Sequence, residues 1–209
     1  MELILDVYAQ PYEKARPLVC FDEKSVELHA NLRPPRPMRA GRAKRIDYEY
    51  KRNGTRNVFL FLEPKAGRRH ALVTQRRTKQ DFAHAMRYLV DALYPEAAMI
   101  DVVLDNLNTH NPDVLIEIFG KREADRILAR LTFHYTPKHG SWLNMAEIEL
   151  SVMERQCLRR RLAHEFTLAT ELIAWERPRN DAQVRIRWRF TTQDARRVFA
   201  NYYPATSSC

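Results

Sequence analysis

Cysteine is scarce in this chain: Cys20, Cys157 and Cys209 among 209 residues. The number is odd and no CxxC spacing occurs, so neither a disulfide framework nor a sulfur-ligated metal is expected. Cys20 and Cys157 lie among apolar residues and read as buried thiols in a reducing compartment. Long apolar runs are lacking too. No window approaches the roughly 18 apolar residues of a membrane span. The opening MELILDVYAQPYEK has neither the basic start nor the long apolar core of a signal peptide. A cytoplasmic protein with no membrane partner is the expectation. Acids are in deficit, with 26 Asp+Glu against 35 Lys+Arg and a net charge of +9. Arginine dominates the basic set, and its fork matches phosphate oxygens, so nucleic acid is the leading class of partner.

What is present is an ordinary apolar content of 45%, in a chain long enough for one sizeable core with appendages. Glu2 to Gln10 reads as the end of a helix, and Pro11 and Pro17 bracket a linker. Leu18 to Phe21 is an apolar strand that reaches Asp22, and the alternation through Ser25, Val26, Glu27 and Leu28 extends it. Residues 29–47, HANLRPPRPMRAGRAKRID, form an exposed basic loop, either a solvated insert or a DNA-contacting arm. Asn53-Gly54 between Tyr48–Arg52 and Asn57–Glu63 predicts a hairpin turn. His70 to Gln75 is a further strand, so three antiparallel strands open the fold.

Thr78 to Tyr94 carries Phe82, Met86, Leu89, Val90 and Leu93 at helical spacing, with Thr78 or Asp81 starting the helix and Pro95 ending it. Met99 to Leu104 is a buried strand. A helix follows at Asp113 to Phe119 and ends at Gly120, and a strand runs from about Leu131 to Tyr135. Ala146, Leu150, Met153 and Cys157 form the apolar stripe of one more helix, with Gly140 and Ser141 breaking and capping its start. This order is that of an α/β, ribonuclease-H-like fold: a mixed five-stranded sheet flanked by helices, with the first and fourth strands side by side at the centre. The division expected is an N-terminal linker over 1–17, a ribonuclease-H-like domain over 18–162, and a basic C-terminal extension of the same domain over 163–209.

Asp105 is the first residue after the fourth strand. In open α/β sheets, ligand and metal sites gather at such carboxyl ends, although an Asp there also caps helices and holds turns. The fold would bring Asp22 beside it. A third acid would come from the last helix, where Glu147 and Glu149 both lie on the shoulders of the apolar stripe and helical geometry does not choose between them. Three convergent carboxylates suit Mg²⁺, a hard cation that prefers oxygen ligands. Two such ions roughly 4 Å apart serve phosphodiester chemistry.

The motifs FDEKSVEL (Phe21 to Leu28), LDNLNTH (Leu104 to His110), TPKHGSWLNMAEIELSVMERQCLRRR (Thr136 to Arg161) and NDAQVRIRWRFTTQDAR (Asn180 to Arg196) together resemble the catalytic domain of a DDE-type transposase. The likeness is to the bacterial insertion-sequence 630 family, related to mariner, and runs from about Leu18 to Tyr203. By that resemblance Asp22, Asp105 and Glu147 are the catalytic acids and the ligands of two Mg²⁺ ions, with Mn²⁺ as a possible substitute. The WLNMAE match favours Glu147 over Glu149, and Asn106, His110 and Asn144 are expected around the ligands. The implied reaction is metal-dependent cleavage of double-stranded DNA at transposon ends. The freed 3′-OH is then transferred to target DNA at TA steps, which deform easily. A homodimer on DNA and a bacterial, nucleoid-associated location follow by the same analogy.

Two departures stand out. The family places helix-turn-helix end-readers ahead of the catalytic domain, and the chain begins about twenty residues before Asp22, so that reader is expected to be missing. The gap from Asp105 to Glu147 is also long for mariner relatives, and extra residues around Gly120 to Asp125 would absorb it. For DNA contact the candidates are Arg159, Arg160 and Arg161, which equally well suit a helix C-terminus, and Arg185, Arg187 and Arg189. The latter alternate with Val184, Ile186, Trp188 and Phe190 as a half-buried strand or extended arm. Such a row also protects an edge strand. Trp142 is expected to pack rather than to wedge against a base. The rival functions are a ribonuclease-H-like nuclease or resolvase, and a non-catalytic DNA-binding remnant.

Overall fold

The computed structural model describes residues 1–202; Tyr203 and Cys209 lie outside the described residues. The chain forms α1 (Glu2–Ala9), β1 (Leu18–Asn31), β2 (Tyr50–Glu63), β3 (Arg68–Thr74), α2 (Lys79–Tyr88), β4 (Ile100–Leu104), α3 (Asp113–Phe119), α4 (Lys121–Leu128), β5 (Leu131–Tyr135), α5 (Met145–Met153), α6 (Glu165–Asp181) and α7 (Thr192–Val198). The strands make one five-stranded sheet in the order β3-β2-β1-β4-β5. β1 pairs antiparallel with β2 and parallel with β4, and β4 pairs parallel with β5. This is the mixed α/β sheet flanked by helices that the element order predicts.

Strand alternation sends side chains to two separate cores. Leu18 and Cys20 of β1 and Val103 of β4 face α1, α5, α6 and α7. Val19 and Phe21 of β1 and Val102 and Leu104 of β4 face α2, α3 and α4. All of β4 is buried, as a central strand covered on both faces should be. α2 starts with a capping box between Thr78 and Asp81, which satisfies two end groups of the helix.

Several expectations are corrected. Asn53-Gly54 is not a hairpin turn: β2 runs straight through it. Glu27 pairs with Thr55 but His29 pairs with Arg52, so Leu28 faces two residues and the strand bulges there. Gly54, at φ +91°, supplies the left-handed residue that such a bulge requires. The turn between β1 and β2 is instead the basic loop, which folds back on itself through bridges of Arg36 with Arg45 and Arg39 with Arg42. Gly120 ends α3, but α4 resumes at once and buries Ala124 and Ile127, so the residues expected as a spacer are helical. α5 is capped by Asn144, whose side chain accepts from Ala146 N–H, and not by Gly140 or Ser141.

The segments flanking the expected catalytic domain join its core. Ile4, Leu5, Val7 and Tyr8 of α1 are buried in it, as are Leu168, Leu172 and Trp175 of α6. Residues 184–190 form no helix and pair in no sheet; Ile186, Trp188 and Phe190 pack on the core while the arginines between them are exposed.

Candidate active site

Register explains how two acids so distant in sequence become neighbours. In the parallel pair, Cys20 stands opposite Val103. Asp22 is two residues beyond Cys20 and Asp105 two beyond Val103, so both stand just past the last paired position and share parity with the face that receives α5. α5 is fixed against the same point. The Asn144 side-chain amide donates to the Phe21 carbonyl at 2.8 Å, one residue before Asp22, while its carbonyl oxygen caps the helix. Glu147 lies in the first turn of that helix, where the macrodipole favours a carboxylate.

Asp22 and Glu147 line one cleft of about 490 Å³, together with Lys24, Glu154, Arg155 and Arg159. Burial pushes the Asp22 carboxyl up to about 7, and the charges of Glu23, Asp105 and Glu147 push it the same way. Asp105 and Glu147 are therefore close enough to oppose the ionisation of Asp22. Glu149 is turned inward, 1% exposed, and held between Arg69 and Arg179. Fold geometry thus separates the two glutamates that helical spacing left equivalent.

His110 is buried and joins the two sides of the site. Its Nδ1 lies 2.6 Å from Asp105 Oδ1 and its Nε2 3.2 Å from Glu23 Oε2. Its ring packs against those of Phe82 and Phe21. Burial alone would lower its pKa, but the hydrogen bonds to Asp105 and Glu23 outweigh that and raise it to about 9. Glu23 is a site residue that sequence reasoning passed over. Its side chain, 4% exposed, points to the opposite face of the sheet from Asp22. The signal available was an acid at an inward-facing strand position, adjacent to the candidate ligand. Asn106 is exposed.

The basic candidates divide. Arg159 lines the acidic cleft, as does Arg155, which the sequence reading did not single out. Arg160 pairs with Glu171. Arg161 is spent on the fold: it donates to Asn31 Oδ1 and to the carbonyls of Glu49 and Tyr48, all at 2.9 Å, and lies over the Tyr50 ring. Arg185, Arg187 and Arg189 are exposed along the arm. Trp142 packs as expected, stacked on Trp188 at 6.4 Å with Phe190 at its edge. A cavity of about 740 Å³ beside it, lined by Lys138, His139 and Phe199, lies apart from the acids.

A divalent cation fits the donors by chemistry: three carboxylates, with no ion-pair partner to Asp22 or Glu147 among the described residues. Among the described residues, however, no three His, Cys, Asp or Glu side chains are drawn close enough to form a closed metal cluster. No helix among them is long and apolar enough to cross a membrane.

No curated protein matches the sequence. Among solved structures, a chain of the simian T-cell lymphotropic virus intasome in complex with PP2A regulatory subunit B56 gamma is similar, at 13% identity and a TM-score of 0.44. The match covers 76% of this chain and 47% of that one, about half its length. The family model for DDE superfamily endonucleases matches residues 17–168, the whole sheet and α5 included. The chain belongs to the DDE superfamily of endonucleases.

Proposed function

We propose that this chain is the catalytic domain of a transposase of the insertion-sequence 630 and mariner type, which cuts DNA at transposon ends and transfers the 3′ strand to a target. The observation that carries the reading is the cleft that Asp22 and Glu147 line together, with the charge of Asp105 felt at Asp22. Asp22, Asp105 and Glu147 would hold Mg²⁺ or Mn²⁺, two ions in the full site. When bound, such ions offset the charge that develops on the attacking and leaving oxygens of a phosphodiester.

The chain's own residues do the rest. Asn144 sets the start of α5 against β1, so that Glu147 opposes Asp22. His110 holds Asp105 in one orientation. Arg155 and Arg159, which make no ion pair among the described residues, offer guanidinium forks for DNA phosphates at the rim of the cleft. Arg185, Arg187 and Arg189 extend the phosphate contact along the arm. A homodimer on double-stranded DNA and a place in the bacterial nucleoid belong to the same reading.

The test is to incubate the protein with a pre-nicked transposon-end duplex, a target plasmid and Mg²⁺ or Mn²⁺, beside Asp105→Ala. Metal-dependent joining by the wild type alone supports the reading. DNA binding by both proteins with no joining by either makes the chain a DNA-binding remnant. Cleavage without joining makes it a nuclease or resolvase.

A further inference from the structure

α5 carries an acid on each side, and the inner one sits at an unusual junction. Glu149 Oε1 lies 2.8 Å from Arg69 Nε and 2.9 Å from Arg179 Nε, and Arg179 Nη2 donates to Oε2 at 3.2 Å. The Arg69 side chain, 0% exposed, also donates to the carbonyls of Gly67 at 3.0 Å and Val184 at 2.5 Å. Asn180, near the end of α6, exchanges hydrogen bonds with the Arg69 backbone in both directions, each 2.8 Å. At the same place Gly67 passes so close to Gln183 that a Cβ would stand 2.4 Å from its carbonyl carbon. Ile186 N–H then donates to the Pro64 carbonyl at 3.2 Å. The β2–β3 turn, the end of α6, the root of the 184–190 arm and the helix of Glu147 therefore meet at one buried guanidinium.

A buried ion pair adds little stability over apolar residues of the same volume, but it fixes geometry. Here the geometry has a consequence at the cleft. At 3.6 residues per turn, side chains two positions apart point about 200° apart around a helix. Holding Glu149 inward therefore turns Glu147 outward, toward Asp22.

We propose that Arg69 and Glu149 are positioning residues that lock the helix of Glu147 and the root of the arginine arm into one fixed relation. A DNA strand held along Arg185, Arg187 and Arg189 is thereby delivered in register to the Asp22–Glu147 cleft. The delivery rests on the transposase reading above; the lock itself does not.

Glu149→Gln alone would leave Arg69 buried beside a neutral partner and lower the melting temperature. The informative variant is therefore Arg69→Met/Glu149→Gln, which removes both charges and keeps the volume. The first reading is trypsin cleavage of the full chain after Arg185, Arg187 and Arg189, without metal or DNA. Local opening of the arm is expected to speed it about tenfold at a temperature where the double variant is still fully folded. Unchanged cleavage in the folded double variant overturns the lock. Should the double variant not fold, Arg179→Gln, which leaves Arg69 and Glu149 paired, is expected to speed cleavage to a lesser degree, and no change there overturns the lock as well.

The second reading is DNA joining: kcat is expected to fall about tenfold with DNA affinity retained, the mark of a group that acts through alignment. An unchanged kcat overturns the link to Glu147. A wild-type chain that neither cuts nor joins DNA overturns the transposase reading, and the trypsin rate then judges the lock by itself.

Discussion

Asn144 and Phe21 are joined by a buried hydrogen bond, side-chain amide to backbone carbonyl at 2.8 Å, across 123 positions of sequence. The same side chain caps α5 through Ala146 N–H. One residue thus sets the distance between the strand of Asp22 and the helix of Glu147. Asn144→Ala removes the cap and leaves the Phe21 carbonyl unsatisfied, a combined loss of about 2–3 kcal/mol of unfolding free energy. Urea denaturation measures it. DNA joining is expected to fall by more than the folded fraction does; a loss that merely tracks folding would mean that Asn144 plays no part in aligning the site.

His110 and Glu23 form a buried pair beside the site. His110→Ala leaves Glu23 a buried carboxylate without its counter-charge and is expected to cost about 3–5 kcal/mol. The double variant His110→Gln/Glu23→Gln removes both charges and should be markedly more stable than His110→Ala. Equal stability of the two variants in a denaturant series would contradict the pairing.

Without metal, stability should fall as pH rises from acid to alkaline. Asp22, raised from 3.8 to about 7, binds its proton more tightly folded than unfolded. Its contribution is complete below about pH 4 and is lost by pH 7. His110, raised from 6.5 to about 9, has the same sign: its contribution is complete below its unfolded value and is lost as pH climbs through about 9. Melting temperatures measured from pH 4 to pH 9 should therefore decline in two overlapping steps. Asp22→Asn should flatten the lower step and His110→Gln the upper; a decline unaffected by either change would assign it elsewhere.

Mg²⁺ or Mn²⁺ binding requires deprotonated carboxylates, so added metal should raise the melting temperature at pH 8 and have little effect at pH 5. Asp105→Asn should abolish the increment. A pH-independent increment that survives in Asp105→Asn would place the cation somewhere other than this cleft.

Arg159 and Arg161 are near neighbours with opposite expected phenotypes. Arg161→Ala breaks hydrogen bonds to Asn31, Tyr48 and Glu49, so it should lower stability by about 1–2 kcal/mol and leave DNA affinity unchanged. Arg159→Ala should leave the melt unchanged and reduce the salt dependence of DNA binding by about one counterion. Fluorescence anisotropy against salt, run beside thermal melts, distinguishes them.

Much of this was legible in the chain itself. The order of strands and helices, the buried run before Asp105 and the stripe of Ala146, Leu150, Met153 and Cys157 express periodicities that local sequence records directly. α6 was not legible, because Phe166 and Ile173 stand exposed beside buried Leu168, Leu172 and Trp175 and blur the stripe. Asn53-Gly54 misled for a related reason: the same pair that makes a tight turn also accommodates a bulge, and only pairing with β1 decides which.

The sequence by itself determined the sheet, the net positive charge and the set of acids from which a site can be built, since each follows from residue type and spacing along one segment. Tertiary structure alone decided the rest. Glu147 faces the cleft because Glu149 is held by Arg69 and Arg179, which come from β3 and α6. Glu23 gains a partner because His110 reaches it beyond the end of the neighbouring central strand, and Arg161 is tied to the fold because the carbonyls of Tyr48 and Glu49 in the β1–β2 loop accept from it. Each of these is a long-range contact made by a charged side chain, whose meaning depends on what lies within a few ångströms and leaves no periodic trace along the chain.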